Sequence, residues 1–358
     1  MKDKAANVQS DGSNSMELRV QGLLLGTAVA DSIGLPTEGM KPAKIAKRGW
    51  DKALQHRFLG NVGMWSDDTE QTILLAQSLV RSKGDISKFT KSFAWDLRCW
   101  LLMLPAATGL ATARAITKLW LGVSSSRSGV FSAGNGSAMR TAPIAAFFPH
   151  DKAARYEFTK AQTQMTHSDP KAFYATLAVT EIAALFLSDK EPDEVIDLLL
   201  TLPSDNEWKD ILLLTKQHLS EGKDFETFLS EIGGQPQKGI SGYVYQTVPA
   251  VIFLGEQNNW DYKDTISACI RCGGDTDTVA AIAGALCGAK AGIDGIPDQW
   301  IKGLKEWPQN KESLNQLARS LVSGLPSVVR PRLSPLQLLR NAFFLLVVLG
   351  HGLTRVIW

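Results

Sequence analysis

Cysteine is scarce. Four cysteines (Cys99, Cys269, Cys272, Cys287) in 358 residues are too few for a disulfide-stapled secreted scaffold, so the expected compartment is the reducing cytoplasm. Cys269 and Cys272 make one C-x-x-C, but no second pair or suitable histidine lies near it; both read as small buried residues rather than zinc ligands. An excess of one charge is also missing. Lys+Arg 38 against Asp+Glu 36 leaves a formal +2, and the basic residues are scattered, so no specific nucleic-acid partner is indicated. The first residues contain no hydrophobic h-region of a signal peptide. Strand-type alternation is rare, and no uninterrupted apolar run is long enough to make a convincing membrane span.

What is present is enough apolar sequence, 44% of residues, to bury a sizeable core. Met1 to Ser15 is polar and reads as a disordered leader. From Met16 the apolar spacing is helical. The first segment, with Leu18, Leu23, Leu24, Leu25 and Ile33, ends at Gly34-Leu35-Pro36. Further helices are predicted after Ser66, over Ala153 to Met165, Lys171 to Leu187, Glu194 to Leu202, Trp208 to Leu219, Phe225 to Ile232 and Tyr243 to Leu254. The fold class is all-α. The organisation predicted is a leader (1–15), one catalytic domain (16–325), and a basic, proline-rich linker with an apolar helix (326–358).

Chemistry concentrates at two helix entrances. Ser66-Asp67-Asp68-Thr69 precedes an apolar helix, and Gly273-Gly274-Asp275-Thr276-Asp277-Thr278 runs into the Ala/Gly-rich segment from Val279. Acids in a first turn complement the helix dipole and a serine caps it, which accounts for each entrance alone. The recurrence of paired acids and hydroxyls suggests more: an all-oxygen set suits Mg²⁺ or Mn²⁺, and two such entrances facing each other would make a two-metal site. Ala280, Gly284 and Gly288 recur at one-turn spacing, so a neighbouring helix can approach closely. Asp31 and Glu38 flank the C-terminal end of the first helix, against its dipole, and need a compensating partner. Gly134-Asn135-Gly136-Ser137-Ala138-Met139-Arg140 is a loop able to present backbone N–H groups to a phosphate, with a helix N-terminus behind it. It is neither a P-loop nor a dinucleotide-binding loop. Arg140 reads more readily as a structural ion pair than as a phosphate ligand, and His167 as a hydrogen-bonding strut at a helix junction.

In order, Asp31-Ser32-Ile33-Gly34 with Glu38, Ser66 to Thr69, Gly134 to Arg140, Thr166-His167-Ser168 and Gly273 to Thr278 resemble the motifs of the ADP-ribosylglycohydrolase family. The resemblance spans about Met16 to Leu304. It implies a compact orthogonal multi-helix bundle with a binuclear Mg²⁺ or Mn²⁺ cleft, cleaving the glycosidic bond between ADP-ribose and an acceptor. By position, Ser66, Asp67, Asp68, Asp275, Asp277 and Thr278 match the metal ligands. Glu38 matches an acid that gates the cleft or assists catalysis, and Glu38, Asp67 and Asp68 are the expected proton acceptors. Ser132, Gly134, Asn135, Gly136 and Ser137 match the loop around the pyrophosphate and distal ribose, and His167 a ligand-contacting histidine. Ala30 replaces the family's glycine before Asp31, and Ser66 its usual threonine, keeping the hydroxyl but not the methyl that packs it. The expected partner is an ADP-ribosylated protein or a small ADP-ribose conjugate. Two other functions stay open: a catalytically silent ADP-ribose-binding or structural relative, and a metal-dependent nucleotide phosphohydrolase.

The tail from Asn341 to Trp358 is strongly apolar, with Arg330, Arg332 and Arg340 before it and Arg355 within its end. Three readings stay open for it: a docking helix or oligomer contact, a peripheral membrane contact through residues 341–358, or a fusion artefact.

Overall fold

The computed structural model describes residues 2–106, 108–188, 195–325 and 331–357 of the chain. Helices follow one another in the order α1 (Lys2–Gly34), α2 (Pro42–Lys47), α3 (Asp67–Ser82), α4 (Ile86–Leu102), α5 (Leu110–Trp120), α6 (Pro143–Phe147), α7 (Lys152–Gln164) and α8 (Pro170–Leu187). After these come α9 (Val195–Leu200), α10 (Asn206–Glu221), α11 (Phe225–Glu231), α12 (Val244–Gln257), α13 (Tyr262–Arg271), α14 (Thr276–Ala291), α15 (Asp298–Gly303), α16 (Lys311–Ser323) and α17 (Pro335–Ile357). Among the described residues there is no sheet. The isolated β-bridges that exist, such as Met40 with Gly274 and Gly134 with Tyr243, tie loops together.

Most starts are dictated locally. Asp85, Asp151, Asp205, Asp224 and Asp261 each cap the helix that follows by accepting a backbone N–H from its first turn, the preferred chemistry at that position. Asp169 does the same for α8, with Pro170 at its first position. The segment from Tyr243, ambiguous between strand and helix on local pattern, is helical as α12 even with Pro249 inside it.

The core is organised on α1 and α14, which lie against each other along most of α14. Gly22 and Gly26 of α1 face Gly288 and Gly284 of α14, and Gly34 faces Thr276 and Asp277. A Cβ at Gly284 would run into the Gly26 carbonyl and stand 2.6 Å from the Ala30 methyl. The one-turn glycine spacing therefore has its partner, a matching spacing on α1. Because this contact ends at Gly34 and Thr276, it fixes the end of α1 beside the start of α14.

One terminal expectation changes. α1 begins at Lys2, so the run assigned to a disordered leader continues the helix. A helix nucleated over the apolar stretch from Leu18 adds residues at little cost. Of the C-terminal linker, residues 326–330 lie outside the described residues. The helix after it, α17, docks through Arg340, Asn341 and Phe344, each buried, and leaves Leu336, Leu339, Phe343 and Leu346 exposed. Among the described residues one helix, α8, has the length and apolarity to cross a membrane, and 83% of it is buried in the core of this fold.

Candidate functional site

The first entrance is built by α1 holding α3. Ser66 caps α3: its hydroxyl accepts from the Asp68 N–H (3.2 Å) and donates to Asp68 Oδ2 (2.9 Å). The Ser66 N–H donates to both oxygens of Asp31 (3.0 and 3.1 Å), and Thr69 donates to Asp31 through its N–H and hydroxyl. These donors are the compensating partners that an acid at the end of α1 requires. Burial still pushes the Asp31 carboxyl up to about 7, against the hydrogen bonds from Thr69 and Ser66, which lower it. Ser66→Ala removes the cap and one partner of Asp68. Chemical denaturation is expected to show a loss of about 1 kcal/mol; an unchanged stability would mean that the cap is not used.

The second entrance depends on two glycines. Gly273 and Gly274 have φ of +66° and +82°, and a Cβ on Gly274 would collide with the backbone of Ile240. The Gly274 N–H donates to Met40 O (2.9 Å), Gly39 N donates to Gly274 O (2.7 Å), and Asp275 N donates to Ile240 O (2.8 Å). The glycine pair thus holds the Glu38 segment on one side and the Lys238–Gly242 segment on the other. Asn135 Nδ2 donates to Asp275 Oδ2 (2.7 Å). Thr278 Oγ1 reaches Asp68 Oδ2 at 3.5 Å, so the two entrances meet.

Between them opens a cleft of about 640 Å³, a size suited to a small-molecule ligand. Asp67, Asp68, Asp275, Asp277, Thr278 and Glu38 line it, and so do Ser132, Gly134, Asn135, Gly136 and His167. Two expected site residues stand behind the wall. Ser66 is buried beneath Asp68, and Ser137 points into the core, where its hydroxyl meets Thr176 at 2.8 Å. The loop is also less of a bare N–H cradle than expected: Asn135 N donates to Gly242 O and Gly134 N to Ser132 Oγ. The helix after it, α6, contributes no residue to the wall. The segments Lys238–Gly242 and Gly109–Thr112 also line the cleft and were not singled out from sequence; the Gly239-x-x-Gly242 spacing beside Ser241 was the available signal.

Arg140 is buried and its hydrogen bonds go to neutral groups, not to a direct ion-pair partner. It donates to Gln71 Oε1 (2.6 Å), Gln162 Oε1 (2.9 Å) and Thr166 Oγ1 (2.6 Å). Gln71 in turn donates to Asp67 Oδ2 (3.0 Å), and Thr166 shares a hydrogen bond with His167 Nδ1 (2.9 Å). One guanidinium therefore braces a carboxylate and a histidine on the same cleft. Burial, helped by the Arg140 charge, pushes His167 down to about 3, so the imidazole is neutral at physiological pH.

The acids repel. Burial first, then neighbouring carboxylates, raise Asp67, Asp68 and Asp277 well above the usual carboxylate range; Glu38 is the largest charge acting on Asp277. Asp68 Oδ1 is buried without a hydrogen-bond partner. Hard oxygen donors, uncompensated repulsion and an orphaned carboxylate oxygen are what a divalent cation satisfies, so these residues fit one. Among the described residues no three histidine, cysteine or carboxylate side chains converge on one point.

The sign of the pH dependence follows. A carboxyl whose folded pKa lies above its unfolded value binds more protons in the native state, so metal-free stability falls as pH rises from about 4 towards 7. A cation needs the deprotonated ligands, so its affinity rises over the same window. The melting-temperature gain from saturating Mn²⁺ over chelator is expected to grow from pH 5 to pH 7.5, reaching about 5 °C. A gain independent of pH would contradict this.

Comparison with known proteins places this geometry. The family model described as ADP-ribosylglycohydrolase matches residues 13–328. An uncharacterised protein of Archaeoglobus fulgidus is 30% identical over 86% of this chain and 96% of its own. The ADP-ribosyl-[dinitrogen reductase] glycohydrolase of Rhodospirillum rubrum is 27% identical over 81% of this chain and 91% of its own. A solved structure titled ADP-ribosylglycohydrolase-related protein complex superposes with a TM-score of 0.67 at 23% identity, covering 87% of this chain and 99% of that one.

Proposed function

This chain belongs to the ADP-ribosylglycohydrolase family, and we propose that it is a metal-dependent hydrolase releasing ADP-ribose from a protein side chain or a small conjugate. The observation that carries the reading is that Asp67 and Asp68 at the start of α3 and Asp275 and Asp277 at the start of α14 line one cleft, with the glycine loop and His167 also in its wall.

Asp67, Asp68, Asp275, Asp277 and Thr278 would hold a pair of Mg²⁺ or Mn²⁺ ions, with the Ser66 hydroxyl supporting Asp68 from behind. Such a pair supplies Lewis acidity, lowering the pKa of a water and orienting ribose hydroxyls. Gln71 fixes Asp67 and Asn135 fixes Asp275, so neither ligand turns freely. Asp67, Asp68 and Glu38 are the groups positioned to take the proton from the attacking water. Bond cleavage at the anomeric carbon passes through an oxocarbenium-like transition state, which the acidic cleft favours electrostatically. Ser132, Gly134, Asn135, Gly136 and neutral His167 receive the pyrophosphate and distal ribose. A cytoplasmic location is part of the same proposal.

Product analysis tests the bond. Incubating the protein and Mn²⁺ with ADP-ribosylated arginine, serine and O-acetyl substrates is expected to yield free ADP-ribose from at least one. AMP with ribose 5-phosphate would instead make the protein a nucleotide phosphohydrolase.

A further inference from the structure

The family model ends at residue 328, yet a side chain from beyond that point grips the turn that carries Ser66, Asp67 and Asp68. Arg340, on α17, is buried. Its guanidinium donates to the Trp65 carbonyl (2.6 Å), to Glu70 Oε1 (3.0 Å) and to both oxygens of Glu306 (2.6 and 3.0 Å). Glu306 Oε2 also accepts from the Trp65 N–H (3.1 Å). Both polar groups of the Trp65 backbone are thereby fixed, and Trp65 is the residue immediately before Ser66. The other Glu70 oxygen, Oε2, accepts from the Trp100 indole (2.7 Å), and Gln337 of α17 donates to the same Oε1 as Arg340 (3.1 Å). The clamp encloses the Ser66–Asp68 turn from Trp65 before it to Glu70 after it.

The rest of α17 keeps Arg340 in place. The guanidinium lies over the Phe344 ring at 4.4 Å, Phe344 stacks on Phe58 at 4.6 Å between centroids, and Asn341 donates to Met103 O (2.7 Å). A planar fork with five donors is the one side chain able to serve two carboxylates and a carbonyl together; a lysine is a single point of charge.

We propose that the C-terminal segment is a working part of the metal site and that Arg340 is a positioning residue, holding the Trp65–Asp68 turn where Asp67 and Asp68 can bind a cation. This rests on the reading of those two aspartates as cation ligands. Outer groups that orient metal ligands typically change affinity by about 10–100-fold when removed, so a comparable loss is expected here. A segment that served only as a cap on the fold would change melting temperature and leave cation affinity alone.

The test uses the full chain as wild type, Arg340→Met, Arg340→Lys and Phe344→Ala. Mn²⁺ binding is followed by the electron paramagnetic resonance of free and bound ion, at a temperature where near-ultraviolet circular dichroism shows each protein folded. Arg340→Met is expected to lower Mn²⁺ affinity at least about 10-fold and to broaden the bound signal. Arg340→Lys keeps a cation between Glu70 and Glu306, so it folds even if the methionine variant does not, and it is expected to show a smaller loss in the same direction. Phe344→Ala removes the ring under the guanidinium without removing a bond to the turn, and is expected to lower melting temperature and to weaken Mn²⁺ binding less than Arg340→Met does. Wild-type affinity in a folded Arg340 variant overturns the proposal. A wild type that binds Mn²⁺ but releases no ADP-ribose overturns the proposed function and leaves the role of Arg340 standing. A wild type that binds no Mn²⁺ overturns both.

Discussion

Replacing Asp275 and Asp277 together with asparagine is expected to abolish ADP-ribose release and, in the same protein, to raise the melting temperature measured in chelator. The two effects have one cause. Asp277 is buried at the first turn of α14, where Glu38, Asp275 and Asp68 all raise its carboxyl above the ordinary range. On the metal-site reading, this concentration of acid destabilises the cation-free fold and supplies the binding energy for a cation. Asparagine keeps an oxygen to accept from Asn135 at position 275 and from the Thr278 N–H at position 277, so the local structure is retained while the charge is lost. Activity should fall well beyond the roughly 10–100-fold typical of groups that merely orient ligands. Trading activity for stability is what strained functional sites do when neutralised. A double variant with wild-type turnover would refute the metal-site assignment. One that is inactive but less stable in chelator would show that the carboxylates are structural instead.

Gly284→Leu is expected to have the next largest effect, and it touches no ligand. Its side chain would enter the space occupied by the Gly26 carbonyl and the Ala30 methyl, in a contact made of backbone rather than movable side chains. Overpacking a core typically costs about 1–3 kcal/mol and more where nothing can yield. To relieve the collision α1 and α14 must separate, and their ends carry Asp31 and Asp277. Calorimetric Mn²⁺ titration of whatever folded protein is recovered should therefore show weakened binding as well as a melting temperature lowered by several degrees. Full metal affinity in a folded Gly284→Leu protein would mean that the helix contact does not position the site.

The parts of this molecule that were legible in the sequence are those encoded over short distances. Ser66 capping α3 depends on three or four consecutive residues and is found as expected, and the helices expected over Ala153 to Met165, Lys171 to Leu187 and Trp208 to Leu219 are found as α7, α8 and α10. The glycine spacing of α14 announced that a helix must come close, but not which one. The answer, Gly22 and Gly26, lies some 260 positions away on α1. The spacing on each helix marks a face for close approach, but nothing local says that the two faces meet. The loop after Lys238 was missed for the same reason: its role comes from Ile240 bridging to Gly274, not from its own composition. Ser137 was misplaced because a motif gives the order of residues along a turn but not which side chains face the cleft. In the sequence the role of Arg340 stays open between a docking helix and a membrane contact. A cation in an apolar tail fits either reading until Glu70 and Glu306, distant in the chain, are seen to surround it.

The most direct measurement is an anomalous difference map from crystals of the full chain soaked in Mn²⁺ near neutral pH. The predicted result is a pair of peaks in the cleft, each within coordination distance of oxygens from Asp67, Asp68, Asp275 or Asp277. A cleft without peaks at saturating Mn²⁺, or ions held only elsewhere on the molecule, would contradict it.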